Sequence, residues 1–294
     1  MKHVFAVILF VCLSGCACIA KSAENIYTGL ISDAHAHLAS RIEGVAPSDI
    51  IELYRRADVF RAALFVNVKK LRELRPLFPE KFIFFTDPYK GKRSNYRLAR
   101  ERLRKIPEML DSGMISGVGE FYASLSSAPF NRMGIEIDLT EPTQEKFLST
   151  LNEKIAVLHI HDEKISESTQ KIFGKYPGIK FILSHCGYQQ PARLRGLLRK
   201  HSNLFADLSL ISNNHFGPFK FSPLISIRPS TDWKQLLIEF STRFLVGSDI
   251  GANWNRMQLL PEIIYDFRRL LGNLPIQTAE QIAYKNFDRL FLTE

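Results

Sequence analysis

Eight short apolar runs, separated by amphipathic stretches, set the strongest limit on how this chain can fold. They are GLISDAHAH at 29–37, AALFVNV at 62–68, KFIFFTD at 81–87, ISGVGEF at 115–121, IAVLHIH at 155–161, KFILSHC at 180–186, NLFADLS at 203–209 and RFLVGSD at 243–249. Runs this short, continuous and rich in Phe, Ile, Val and Leu read as strands buried on both faces, as in a parallel sheet. The segments between them read as helices, among them PSDIIELYRRADV with Ser48 as its predicted cap, RLARERLRKIPEML, EPTQEKFLSTLNEK, SESTQKIFGKYP and ARLRGLLRKH. Eight strands with intervening helices predict an α/β protein of the (β/α)8 TIM-barrel class rather than a six-stranded open sheet. No GxGxxG follows the first run, which counts against a dinucleotide fold. Two connections run long, at 122–142 and 210–235. In a barrel the segments after strands lie on the active face, so these are candidate walls or lids for a substrate.

Several of the runs end in side chains that bind metals or protons. The first ends in His35 and His37, the fourth in Glu120, the fifth in His159 and His161, the sixth in His185 and the eighth in Asp249. The carboxyl ends of parallel barrel strands converge on one mouth. A lone histidine at a strand end is ordinarily a hydrogen-bonded core residue, but here the pattern recurs in a chain with only eight histidines. Successive strand residues face opposite ways, so His35 and His37 point the same way, about 7 Å apart along the strand. Two imidazoles so placed can hold a metal from one side. Histidine with carboxylate suits zinc or a similar divalent ion, and water can keep one position open.

The ordered motifs DAHAHL, GVGE, LHIH, SHCG and VGSD, with the C-terminal stretch AEQIAYKNFDRLF, resemble the amidohydrolase superfamily of metal-dependent hydrolases. The likeness is to its amidohydrolase-2-like and deoxyribonuclease-like branches, and it covers residues 31–292. The resemblance implies that His35, His37 and Asp249 ligate one divalent ion, with zinc the expected metal. It implies that Glu120, where many members carry a carboxylated lysine, bridges to a second ion completed by His159 and His185. In members with a single ion the histidine matching His185 contacts the catalytic water instead. His161 is expected as a substrate contact, although strand alternation also lets it face the mouth.

A divalent ion lowers the pKa of its water and polarises the substrate oxygen, while Asp249 would take the water's proton and pass it to the leaving group. Asp249 and His185 are therefore the expected catalytic residues. The expected reaction is hydrolysis of a small amide, ester, lactone or phosphoester. The alternatives are decarboxylation with the same ligands, or a surface binding lipoprotein without turnover. Tyr122, Arg228, Asn253 and Trp254, taken to lie in loops after strands, are expected near the substrate, with Arg228 suited to an anionic group. Cys186 is expected to point away from His185 by strand alternation and to be a buried structural residue.

The N-terminus has a different character. Met1-Lys2-His3 is a short basic start, and VFAVILFVCL is an apolar run of about ten residues, too short to span a bilayer and suited to a signal-peptide core. LSGC at 13–16 resembles the lipobox of bacterial lipoproteins, which implies cleavage before Cys16 and its acylation; the alternative is ordinary secretory cleavage after Ala20. Residues 1–20 are thus an expected leader and 27–294 one barrel domain. The expected location is periplasmic or at the outer membrane, with the bacterial membrane reached through lipidated Cys16. The four cysteines are Cys12, Cys16, Cys18 and Cys186, so no disulfide framework is expected. The net charge of +9 is densest in KGKRSNYRLARERLRK, Lys90 to Lys105. That run lacks aromatics interleaved for base stacking, so a solvated helix face is expected and no nucleic-acid partner.

Overall fold

The computed structural model describes residues 25–38, 45–90, 97–125, 135–209, 225–251 and 253–292. The eight apolar runs form eight parallel strands: β1 Ser32–Leu38, β2 Arg61–Val66, β3 Phe82–Thr86, β4 Gly117–Leu125, β5 Val157–Asp162, β6 Lys180–Leu183, β7 Leu204–Asp207 and β8 Phe244–Leu245. They pair in chain order from β1 to β8. The two ends then meet. Ala36 bridges in parallel to Ile250, Ala34 N donates to Val246 O at 2.8 Å, and His37 N donates to Ile250 O at 2.7 Å. The sheet is a nearly closed (β/α)8 barrel.

Helices follow the strands: α1 Pro47–Arg56, α2 Val68–Leu74, α3 Arg100–Asp111, α4 Pro142–Glu153, α5 Glu167–Lys175, α6 Pro191–Lys200, α7 Thr231–Glu239 and α8 Leu260–Leu271. Each presents an apolar stripe to the sheet. In α8 the buried positions Leu260, Ile263, Ile264, Phe267, Leu270 and Leu271 recur at helical spacing. This layer between helices and sheet is the main core. A smaller core fills the barrel interior with Ala34, Ala63, Phe65, Ile83, Phe85, Val157, Ile182, Phe205 and Leu245, and Phe287 of the C-terminal helical stretch 276–291 packs into it. Phe65 is the upper face of that plug. Its ring centroid lies 5.1 Å from His35, 5.2 Å from His37 and 5.1 Å from His159, so the polar residues at the mouth stand on a dry floor.

Two sequence expectations are corrected locally. Ser48 is not the cap of α1: Ala46 is, and the Asp49 carboxylate accepts from Ala46 N at 3.3 Å. Pro47, with φ already set for a helix and no N–H to satisfy, takes the first helical position and moves the start two residues earlier. The connection after β4 is not all loop, because β4 runs on to Leu125 and Ile135–Glu136 pairs back on it antiparallel. The leader with Cys16, residues 91–96 of the basic run, and 126–134 and 210–224 of the long connections lie outside the described residues. Among the described residues no helix is long and apolar enough to cross a membrane.

Candidate functional site

Side chains from β1, β4, β5 and β7, and from the turns after β6 and β8, meet above Phe65. His35 and His37 share a face of β1 and bring their Nε2 atoms to 3.1 Å. Asp249 places Oδ1 3.5 Å from the first of these nitrogens and 3.3 Å from the second. Glu120 places Oε1 3.9 Å from His35 Nε2 and Oε2 3.5 Å from His37 Nε2. On its other side Glu120 Oε1 accepts from His161 Nδ1 at 2.8 Å and lies 3.8 Å from His185 Nε2. Three ligand-type groups result among the described residues, His35 with His37 and Asp249, Glu120 with His161 and His185, and His35 with His185 and Asp207; within each, the potential ligand atoms lie within 4.8 Å of one another.

Backbone features allow this crowding. A Cβ at Gly119 would stand 2.7 Å from His159 Cβ, and one at Gly247 2.9 Å from His35 Cβ, so neither position admits a side chain without displacing a histidine. His185 does not continue β6. Residues His185, Cys186 and Tyr188 have φ of 54°, 54° and 56°, a left-handed turn that ordinary side chains adopt only when held there. Asp207 holds it: Oδ1 accepts from His185 N at 3.1 Å. Asp249 is also left-handed, with φ 49°. Its N donates to His35 O at 2.7 Å, and Arg256 donates to its carbonyl at 3.3 Å.

Charge in the cluster is set by proximity working against burial. Burial opposes ionisation of Glu120, yet His161, His37 and His35 hold its carboxyl well below the ordinary glutamate value. Asp249 is likewise held low, against burial, by His37, His35 and His185. Burial disfavours charge on His37 and His161, but Asp249 and Glu120 around the first, and Glu120 and Glu163 around the second, bring each to about 10. His185 is pushed down to about 4, chiefly by burial. The residues suit a divalent cation: nitrogen and oxygen donors of the right chemistry converge, and protons occupy His37 and His161 where an ion would displace them.

The structure brings together His35, His37, Glu120, His185 and Asp249 as the motif order predicts. It divides the β5 histidines differently from the sequence reading. His161, reserved there for substrate, joins Glu120 and His185. His159 lies deeper, with Nδ1 3.0 Å from Ser184 Oγ and Nε2 3.0 Å from Asp207 Oδ2 but outside hydrogen-bonding geometry. Both point inward because they are two residues apart; which one reaches the mouth depends on height in the barrel, and alternation does not encode height.

Tyr122 is on β4 rather than in a loop, its ring 5.5 Å from His161 and 5.6 Å from Tyr89. Trp254 packs against the outer core, and Asn253 caps the single turn Trp254–Met257. Arg228 is exposed, and the carbonyl of Ile227 before it accepts from Asn273, beyond α8, at 3.2 Å. Cys186 is buried as expected, but not by strand alternation: it lies in the left-handed turn, and its thiol donates to Asp207 O at 3.2 Å. Burial raises that thiol well above its ordinary pKa, which removes it as a nucleophile.

Sequence reasoning gave no role to Asp207, Arg256, Glu163 or Tyr188. Asp207 carried a usable signal, an acidic residue closing the seventh apolar run just as Glu120 closes the fourth. Tyr188 lies against the rings of both His161 and His185, and Glu163 Oε1 is 3.4 Å from His161 Nε2. These placements depend on turns after strands and had no pattern to reveal them.

Residues 117–291 match a family model described as Amidohydrolase. Among solved structures, a probable 2-pyrone-4,6-dicarboxylic acid hydrolase from Acinetobacter baumannii is 16% identical, covering 90% of this chain and 100% of that one, with a TM-score of 0.58. A TatD homologue from Escherichia coli K12 is 12% identical over 90% of this chain and 98% of that one, with a TM-score of 0.60. A 2,6-dihydroxybenzoate decarboxylase is 11% identical over 91% and 99%, with a TM-score of 0.58. At these identities the likeness concerns the barrel fold. No curated protein matches the chain.

Proposed function

The chain belongs to the amidohydrolase family, and from that premise we propose that it is a metal-dependent hydrolase of a small amide, ester, lactone or phosphoester. His35, His37 and Asp249 would hold one divalent cation, and Glu120, His161 and His185 a second. One observation carries this reading. Two imidazole nitrogens face each other at 3.1 Å, and carboxylate oxygens of Asp249 and Glu120 stand 3.3–3.9 Å from both. Acceptors opposed so closely in a buried site need a proton or a cation among them, and the mixed nitrogen and oxygen donor set suits a divalent cation that displaces the proton.

A divalent ion held there would supply Lewis-acid polarisation of a substrate oxygen and a water that ionises near neutral pH. The chain's own residues do the rest. Asp249, ionised at neutral pH, would accept a proton from the attacking water and return it to a leaving group. His185, neutral through burial, keeps an imidazole nitrogen available beside Glu120. Tyr122 and Tyr188 wall the His161 side, and Phe65 closes the floor against water. The LSGC motif supports an exported protein tethered through Cys16.

The test is metal analysis of the purified protein followed by a substrate panel. Amides, esters, lactones and phosphoesters form the hydrolytic arms. A pyrone dicarboxylate and a dihydroxybenzoate, taken from the names of the structural neighbours, test lactone opening and decarboxylation directly. Hydrolysis lost to a chelator and restored by zinc or manganese is the expected result. Failure to retain any divalent ion at micromolar concentration would end this reading, and turnover of the benzoate alone would replace hydrolysis with decarboxylation.

A further inference from the structure

Asp207 closes β7 with no solvent exposure, and hydrogen-bond donors surround its carboxylate. Oδ1 accepts from His185 N at 3.1 Å, from Ser209 N at 2.9 Å and from the Ser209 hydroxyl. Oδ2 lies 3.0 Å from His35 Nδ1, with His159 Nε2 also at 3.0 Å. Oδ1 is filled by three donors and Oδ2 takes His35 Nδ1. Although Asp207 can group with His35 and His185 as a third ligand set, its oxygens face the Nδ1 side of His35 and, through Ser209, of His185, behind the two cation positions built on Nε2 atoms.

Counting hydrogens then fixes two tautomers. A carboxylate only accepts, so His35 Nδ1 carries the hydrogen in its contact with Asp207. When His35 holds a single hydrogen, as ion binding requires, its lone pair is therefore on Nε2, which faces His37 and Asp249. The Ser209 hydroxyl has one hydrogen, and Asp207 Oδ1 receives it. In the 2.6 Å contact between Ser209 Oγ and His185 Nδ1, the imidazole must then be the donor. That leaves the His185 lone pair on Nε2, the atom turned toward Glu120.

We propose that Asp207 is a positioning residue that sets the tautomer of one histidine in each cation group, His35 directly and His185 by way of the Ser209 hydroxyl. A single carboxylate on β7 thus prepares Nε2 donors from β1 and from the turn after β6. Without it each histidine has an alternative tautomer whose Nε2–H points at the place an ion must occupy. The tautomer assignment rests on geometry alone, whereas its consequence for ion binding rests on the proposed function. Histidines that bind metals commonly donate their outer N–H to a carboxylate, and losing such a partner costs about 10–100-fold in affinity.

The test uses the full chain, labelled with 15N-histidine, as wild type, Ser209→Ala, Ser209→Thr and Asp207→Asn. Long-range 1H–15N correlation of the metal-free protein reads the tautomer of His185 whether or not zinc binds. The expected result is an Nδ1–H pattern in wild type and in Ser209→Thr, lost in Ser209→Ala. Zinc affinity, measured against a competing chelator, is expected to fall about 10–100-fold in Asp207→Asn and by less in Ser209→Ala. A wild-type His185 in the Nε2–H form, or one unchanged by Ser209→Ala, overturns the proposal. So does loss of zinc in Asp207→Asn with Ser209→Ala indistinguishable from wild type, which would make Asp207 a ligand. Ser209→Ala removes one hydroxyl and keeps the test open should Asp207→Asn fail to fold. If wild type binds no zinc but the tautomer behaves as stated, the metal reading fails and the assignment stands.

Discussion

His35 and His37 stand two residues apart on one strand and hold their Nε2 atoms 3.1 Å from each other, with Asp249 Oδ1 within 3.5 Å of both. Two ring nitrogens at that separation are compatible only with a hydrogen or a cation between or beside them. Outer contacts fix the choice of atoms, because His35 Nδ1 is already committed to Asp207 at 3.0 Å.

His37→Ala removes one of these nitrogens from a half-buried position at the mouth, where the vacancy can fill with water. Zinc affinity is expected to fall by at least the roughly 10–100-fold that loss of an outer partner costs. Turnover should fall with occupancy. Competition with a chelator and elemental analysis check this; a variant that keeps wild-type zinc content would remove His37 from the ligand set.

Zinc uptake should release protons. His37 and His161 each stand at about 10 without an ion, so both are protonated at pH 8 and must lose that proton to coordinate. Against burial, the carboxylates around His35 raise it as well, so at least about two protons per protein are expected to be released at that pH. Because protons compete with the ion, apparent affinity should rise as pH rises toward 10 and weaken as pH falls. Calorimetry at pH 8 in buffers of differing ionisation enthalpy measures the number, and a value near zero would contradict the protonation scheme.

Asp249→Asn keeps the size of the side chain and removes its basicity. If Asp249 carries the proton, kcat on any hydrolysed substrate is expected to drop by about 10²–10⁴. Zinc should be retained better than in His37→Ala. Equal losses of metal and rate would reduce Asp249 to a ligand.

Asp33 is fully buried beneath the site, and burial pushes its carboxyl up to about 6, partly offset by hydrogen bonds from Ser248 and the backbone of His35. The folded state therefore binds this proton more tightly than the unfolded chain does. Its charge costs stability above pH 6, and that cost disappears as pH falls toward 4. An asparagine at 33 can still accept from Ser248 N and His35 N, and can donate to Ser248 Oγ, which has His35 O as its own acceptor at 3.2 Å. Asp33→Asn is expected to raise the stability of the metal-free protein at pH 7–8 by roughly 3 kcal/mol, with no gain near pH 4. Urea unfolding at the two pH values decides it.

Cys16→Ala addresses the leader. Expressed in a bacterium, the full chain is expected in the membrane fraction with label from a radioactive fatty acid, and the variant is expected without label. A labelled variant, or an unlabelled wild type, would exclude acylation at Cys16.

The order of the barrel was legible in the amino-acid sequence because burial on both faces leaves short, continuous apolar runs, and all eight became strands. The identity of the strand-end residues was legible too, since His35, His37, Glu120, His185 and Asp249 each close a run whose carboxyl end must face the mouth. What alternation cannot supply is height. His159 and His161 share a face, and only the register of β5 between β4 and β6 puts His161 beside Glu120 and His159 beside Ser184. Nor can it show where a strand stops: His185 reaches the cluster through a left-handed turn held by Asp207, a residue from the next strand. Local sequence determines which side chains face inward. Closure of the barrel alone decides which of them meet, because those contacts join residues up to 215 positions apart through the stagger of strands that are not neighbours in the chain.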